Sequence, residues 1–321
     1  MTVQEIFRAF IKNTGFSEKV LFDEEIAPKT TFKIGGKAAV FIAPENYFQL
    51  QDILTLVKKY SIPKFILGGG SNVVFRDDVF DGVVISTSNF TEINVMDCYD
   101  FDTPEDSEKK YKLVSCGSGL KMDDLVKFCM ENDLWGLENF SALPGTVGGA
   151  LYMNARCFEK SICENFVQGF YFDPNSFEGI ELPYNESEWS YKKSPFQSGN
   201  KIILQGIFKL EQKPASEHEK LVQLNEKYLN ERKSRGHFDF PSAGSVFKNN
   251  HEFGEPSGRI IDECGLRGTK IGQAQVAPFH GNFIINLGGA TQKDVKKLVE
   301  FVVNTVEERK GFKLEPEIIF F

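Results

Sequence analysis

Lys64-Phe65-Ile66-Leu67-Gly68-Gly69-Gly70-Ser71-Asn72 is the stretch on which the reading of this chain turns. Its first four residues form a short apolar run of strand length. Three glycines follow directly, and glycine takes backbone dihedrals that other residues avoid. Without Cβ atoms in the way, consecutive N–H groups of such a loop can converge on one anion. Ser71 and Asn72 would add side-chain donors. A plain flexible turn accounts for the same residues equally well. The loop is not a Walker A sequence, which needs Gly-Lys-Ser/Thr, nor a GxGxxG fingerprint.

Upstream, residues 36–43 have strand character ended by Pro44. A helix follows with Leu50, Ile53, Leu54 and Val57 at helical spacing, so the glycine loop closes a strand, helix, strand unit. Residues 1–30 suit a helix and a lead-in. Downstream, residues 82–116 suggest strands around an acidic, proline-bearing excursion, Asp97 to Lys110, expected as a solvated hairpin or loop. A helix is expected at Met122–Asn132, then a glycine-rich stretch with few regular features from Gly136 to Asn154, then strands over 165–212. Residues 216–235 predict a charged connecting helix with Leu221, Leu224 and Tyr228 on one face. Val295, Leu298, Val299, Val302, Val303 and Val306 mark an amphipathic helix, with Thr291 and Asp294 suited to its start and Gly311 to its end. A strand at Glu317–Phe321 finishes the pattern, and no internal repeat is present.

A chain of 321 residues with 41% apolar and 26% charged residues can bury a sizeable core in two or three units. Its net charge of -8 argues against nucleic acid as the main partner. The six cysteines form no CxxC pair and no zinc spacing with histidine, so they are expected as reduced thiols, and no metal site is expected. Cys116 lies in a Cys116-Gly117-Ser118-Gly119 turn that suits either approach to a cofactor or a buried structural thiol. His218, His237, His251 and His280 lack ligand spacing, with His280 the one most expected to be partly buried. Charges at Glu5, Arg8 and Lys12 interrupt the N-terminal segment, which leaves no signal-peptide core. No apolar stretch reaches membrane-spanning length. Both features fit a cytoplasmic protein.

Four further stretches can carry chemistry. Pro144-Gly145-Thr146-Val147-Gly148-Gly149 is a second glycine-rich loop, and two such loops suit a dinucleotide with an extended pyrophosphate. Tyr191-Lys192-Lys193-Ser194, taken alone, reads as a polar strand end, since exposed Lys and Ser are the common case. Ser245, in Ser242-Ala243-Gly244-Ser245-Val246-Phe247, is not in a GxSxG elbow and has no evident acylating triad, and a hydroxyl that donates a proton, rather than attacking, fits the residues equally well. Glu317 opens the last strand, with Glu315 two residues before it, and taken alone each reads as an exposed carboxylate.

Taken in order, these pieces resemble the UDP-N-acetylenolpyruvoylglucosamine reductase (MurB) family over nearly the whole chain. The resemblance also runs through Thr31-Phe32-Lys33-Ile34-Gly35-Gly36, Gly258-Arg259-Ile260-Ile261-Asp262 and His280-Gly281-Asn282-Phe283. The short link from Leu210 to Ser242 places it with the shorter class, which lacks a tyrosine-bearing insertion. The resemblance implies an α+β chain: an FAD-binding module of the vanillyl-alcohol-oxidase type in two α+β subdomains (1–83 and 84–213) and a C-terminal α/β substrate domain (214–321). The final strand, within 312–321, would return to the active site. It implies non-covalent FAD held by Ile34, Gly35, Gly36, Leu67, Gly68, Gly69, Gly70, Ser71, Asn72, Pro144, Gly145, Thr146, Gly148 and Gly149. NADPH would be the reductant and a sugar nucleotide the substrate, with no nucleic-acid or membrane partner and a monomeric state.

In that family reaction the flavin delivers hydride to an enolpyruvyl double bond, a proton reaches the adjacent carbon, and UDP-N-acetylmuramate results. Ser245 matches the proton donor, and Glu317 the carboxyl that stabilises the enol, which requires it to hold or share a proton. Lys192 falls where the family pattern has arginine, so a point charge replaces a bidentate fork. Arg156, in a segment that departs from the family after Asn154, is a second candidate for that cation. Tyr191, Lys248 and Arg259 are carried over as substrate contacts. Two other functions compete: an FAD-dependent oxidase of a small alcohol or hydroxy acid, and a non-catalytic sugar-nucleotide binder.

Overall fold

The computed structural model describes residues 1–14, 20–98 and 110–321, so residues 99–109 of the acidic excursion lie outside the described residues. Seven α-helices form among the described residues: α1 (Val3–Thr14), α2 (Tyr47–Lys59), α3 (Met122–Glu131), α4 (Val147–Tyr152), α5 (His218–Ser234), α6 (Ser257–Glu263) and α7 (Gln292–Lys310). With the strands between them they make the α+β chain expected. Packing gathers the backbone into two compact units. The first contains Met1–Ile42, Gly70–Val84 and Arg232–Phe321; the second contains Ala43–Gly69 and Ile85–Glu231. Each unit joins segments far apart in sequence. None of the described helices is long and apolar enough to cross a membrane.

The second unit is built on an antiparallel sheet ordered Glu178–Pro183, Phe166–Asp173, Ile202–Gln212, Lys110–Gly117, Ile93–Asp97. In Ile202–Gln212, Leu204, Gly206, Phe208 and Leu210 are buried while Gln205, Ile207 and Lys209 are less so, the period of two that a one-sided strand requires. Phe208 and Leu210 share a core with Leu125 and Cys129 of α3 and with Val147 and Leu151 of α4. Each large apolar side chain buried there contributes roughly 1.5–3 kcal/mol. Helix α2 starts at Asn46, whose side chain accepts the Gln49 N–H at 3.0 Å, and it buries Leu50, Ile53, Leu54 and Val57. Helix α4 corrects the expectation of few regular features over 136–154. Thr146 caps it and Val147, Ala150 and Leu151 bury its inner face, while Gly148 and Gly149 dilute the helical signal in the sequence.

The first unit holds an antiparallel sheet ordered Ser242–Ser245, Phe283–Asn286, Ala274–Val276, Lys270–Ile271. Helix α7 buries Val295, Leu298, Val299, Val302 and Val306 in the same core as Ala274, Val276 and Ile284. It opens with a Thr291–Asp294 capping box and closes on Gly311 at φ +82°, as its sequence predicts. Strands Val20–Glu25 and Lys37–Ile42 pair antiparallel. The terminal strand is Ile319–Phe320, running parallel to Val73–Val74. It is shorter than the Glu317–Phe321 expected, because Glu317 donates its N–H to Val246 O (2.7 Å) and so belongs to a different pairing.

Candidate active site

In the second unit the two glycine-rich loops meet. A Cβ on Gly69 would lie 2.5 Å from Gly145 Cα, and one on Gly68 would lie 3.0 Å from Thr146 Oγ1. Leu67 is buried beneath them. The first-turn amides of α4 are already used: Val147 donates to Leu120 O (2.9 Å), Gly148 to Ser118 O (2.8 Å) and Gly149 to Thr146 Oγ1 (3.4 Å). By contrast, the N–H groups of Gly69, Gly70, Ser71 and Asn72 donate to no protein acceptor among the described residues. Unspent donors that follow directly on glycines suit a pyrophosphate. Ser118 Oγ, buried with no hydrogen-bond partner among the described residues, is a further unspent polar group beside Gly148. The residues present therefore fit a dinucleotide cofactor. Ser118, and not Cys116, is the member of its turn that stands against α4. Cys116 is a buried thiol donating to Gly206 O (3.7 Å), and burial raises its pKa.

In the first unit, Ile34 is buried, Gly35 (φ +146°) lies against Phe75, and Gly36 is packed against the Asp77 and Asp78 carbonyls. Gly70, at φ +62°, could not carry a Cβ without striking Lys29 O. Ser245 ends the edge strand of the four-stranded sheet. Ser242 pairs with Ile285 but Ser245 with Phe283, so the strand carries one residue more than its partner. Gly244, at φ +74°, absorbs that bulge, a device that re-aims the side chain following it. One residue on, Val246 O accepts the Glu317 N–H at 2.7 Å, and Glu317 O in turn accepts from Asn72 Nδ2 at 3.1 Å. Ser245, Glu317 and Asn72 are thus fixed on adjoining backbone. Lys248 forms an ion pair with Glu315 at 2.5 Å, which sets Glu315 apart from Glu317. Arg259, on α6, is exposed between Glu255 and Glu263 (3.6 and 3.3 Å).

Tyr191 and Lys192 occupy the tip of a turn in the second unit. Lys193 donates its N–H to Ser190 O at 3.0 Å, and Lys192 sits at φ +58°, where a Cβ-bearing residue costs roughly 1–2 kcal/mol. Non-glycine residues held there cluster at functional sites. Arg156 lies on a separate two-residue strand, with its guanidinium 2.9 Å from Glu159 and 3.2 Å from Ser161 Oγ.

A histidine pair in the first unit carried no sequence signal beyond His280 itself. His237 stacks on Phe283 with ring centroids 4.8 Å apart, and its Nε2 is buried without a hydrogen-bond partner among the described residues. His280 Nδ1 accepts the Asn282 N–H at 3.1 Å, which puts the neutral proton on Nε2. Burial, then the charges of Arg232, His280 and Arg235, depress His237 to about 4, and burial likewise lowers His280. An unfolded histidine takes its proton near pH 6.5, before folded His237 can. The resulting stability is complete above about pH 6.5 and is lost as pH falls toward about 4. The wild-type Tm is expected to drop across this window more steeply than that of His237→Phe. Equal slopes in thermal unfolding followed by circular dichroism would remove His237 as the cause. No group of metal-ligating side chains forms among the described residues.

Residues 38–171 match a family model described as an FAD binding domain, and residues 236–321 match the C-terminal domain of UDP-N-acetylenolpyruvoylglucosamine reductase. The UDP-N-acetylenolpyruvoylglucosamine reductase of Treponema denticola is 41% identical over 310 residues, covering 93% of this chain and 92% of its own length. That of Treponema pallidum is 37% identical, covering 92% and 91%. The crystal structure of the UDP-N-acetylenolpyruvylglucosamine reductase (MurB) from Thermus caldophilus matches with a TM-score of 0.72 at 28% identity, covering 94% of this chain and 98% of that one.

Proposed function

Because the chain belongs to the UDP-N-acetylenolpyruvoylglucosamine reductase family, we infer that it is an FAD-dependent oxidoreductase. It uses NADPH to reduce the enolpyruvyl group of UDP-N-acetylglucosamine enolpyruvate to UDP-N-acetylmuramate, in peptidoglycan precursor synthesis. The observation that carries the reading is the anchoring of Ser245 and Glu317 on adjoining backbone through Val246 O. Reduction of a polarised double bond needs a proton donor and a group to stabilise the enolate, and these two supply both.

When bound, FAD would supply the hydride chemistry that carries two electrons from NADPH to the terminal enolpyruvyl carbon. The Gly68–Asn72 loop and the Pro144–Gly149 stretch would hold its pyrophosphate. Ser245 Oγ gives its proton to the carbon next to the one receiving hydride. The Glu317 carboxyl shares a proton with the enolate oxygen as negative charge builds there. Lys192 offsets the charge on the substrate carboxylate, while Tyr191, Lys248 and Arg259 contact the sugar nucleotide. The test is anaerobic: the flavin spectrum should bleach with NADPH and recover on adding the enolpyruvyl sugar nucleotide. Recovery only with oxygen would indicate an oxidase. Protein that cannot be reconstituted with FAD would overturn the assignment.

Lys192→Ala is expected to lower sugar-nucleotide reduction by about 10²–10³-fold, the usual loss of one charge-stabilising donor, with NADPH-driven flavin reduction unchanged. Lys192→Arg should retain activity. Wild-type turnover in Lys192→Ala would withdraw the role, and a raised KM in Arg156→Ala would transfer it to Arg156. The reading also includes a monomeric state and a cytoplasmic location. Its functional partition is cofactor binding by 1–83 and 84–213 and substrate binding by 214–321, with the final strand returning Glu317 to the active site.

A further inference from the structure

We propose that Gln197 is a positioning residue for Lys192, an inference that rests on Lys192 being the cation for the substrate carboxylate. Lys192 is the third residue of the Ser190–Lys193 turn and takes a left-handed backbone, φ +58°, while Tyr191 before it does not. A turn of this kind ordinarily places glycine at that position. Lysine occupies it here, so something outside the four residues must hold the conformation.

Gln197 supplies that hold. Its Nε2 spends both hydrogens on main-chain carbonyls, donating to Lys192 O at 3.0 Å and to Tyr152 O at 2.8 Å. Tyr152 is the last residue of α4, the short helix that Thr146 caps within the cofactor cradle. One side-chain amide therefore ties the strained residue to the C-terminal end of that helix. Asn154 secures the other flank, donating from Nδ2 to Ser190 O at 2.9 Å. The carbonyls of Ser190 and Lys192 are thus both anchored, one to Asn154 just past α4 and the other, through Gln197, to the last residue of α4. Gln197 is itself exposed, so replacing it opens no core cavity, and its effect is confined to those two hydrogen bonds.

Gln197→Met keeps the side-chain volume and removes both donors. Gln197→Glu keeps the shape and turns an acceptor toward the two carbonyls, so it serves as an independent second variant. Both are expected to lower kcat for sugar-nucleotide reduction about 10- to 100-fold, the cost of misplacing a catalytic group by about 1 Å. KM should change little, and NADPH-driven flavin reduction and thermal midpoint should stay at wild-type values. Amide hydrogen exchange over residues 190–193, measured on the same protein without substrate, should speed up. Lys192→Ala combined with Gln197→Met should be no slower than Lys192→Ala alone. Wild-type kcat and wild-type exchange in both variants would overturn the proposal, as would additive losses in the double variant, which would separate Gln197 from Lys192. Wild-type activity in Lys192→Ala would instead overturn the premise, and this proposal with it.

Discussion

Ser245→Ala is expected to slow reoxidation of the reduced enzyme by the enolpyruvyl sugar nucleotide by about 10²–10⁴-fold, the span of a lost general acid. Bleaching of the flavin by NADPH should proceed at the wild-type rate, since that half of the cycle transfers no proton to the sugar-nucleotide carbon. The size of the effect follows from the way the hydroxyl is aimed. Ser245 ends an edge strand whose extra residue is taken up at Gly244, and the next carbonyl holds Glu317 through a 2.7 Å hydrogen bond. Water has no such fixed position and would be a poor replacement. The half-buried hydroxyl is small, so Tm should be nearly unchanged. Anaerobic stopped-flow on the two half-reactions makes the distinction. Equal slowing of both would indicate general damage to the site, and slowing of neither would move the proton donor elsewhere.

Gly69→Ala is expected to weaken FAD binding about 10- to 100-fold, the equivalent of 1–3 kcal/mol of overpacking. The new methyl would lie 2.5 Å from Gly145 Cα and 2.9 Å from Gly145 C. Both are main-chain atoms, so no side chain can rotate away, and the two loops must separate. Separation displaces the Gly69 amide, which is one of the unspent donors. Gly199→Ala is the control: its Cβ would meet nothing within 4 Å, and its cost is confined to a left-handed backbone at φ +74°. It should lose about 1 kcal/mol of stability and keep its flavin. Flavin fluorescence titration of the apoproteins gives both dissociation constants, and equal values would show that the close approach of Gly69 to Gly145 does not matter for the cofactor.

Much of this arrangement was legible in the residues. The helix burying Leu50, Ile53, Leu54 and Val57 and the capped helix from Thr291 to Gly311 form where apolar periodicity and terminal residues indicate. Both signals are local, and local signals survive without knowledge of the fold. Helix α4 was hidden because Gly148, needed where Ser118 presses on the backbone, lowers helix propensity at the point where packing imposes a helix. The site was legible as motifs in order, through resemblance, but not as geometry. Nothing in the sequence announces that Lys248 pairs with Glu315, that Arg156 turns along its own hairpin toward Glu159, or that His237 stacks on Phe283. Those facts depend on which segments the fold brings together, across separations that periodicity cannot span.

The first unit's make-up also fixes an order of events in folding. Its hydrogen bonds close very long loops: Thr31 Oγ1 to Ser242 O spans 211 residues, Asn72 Nδ2 to Glu317 O spans 245, and Asn286 Nδ2 to Phe32 O spans 254. The second unit's sheet, from Ile93 to Gln212, draws on one stretch of chain. Chain entropy lost in closing a loop must be met before its contacts form, so nonlocal topologies fold slowly. In refolding, Ile202–Gln212 should gain exchange protection before Phe283–Asn286. The glycine loop, which links the early unit to the late one between Gly69 and Gly70, would then acquire its final shape last.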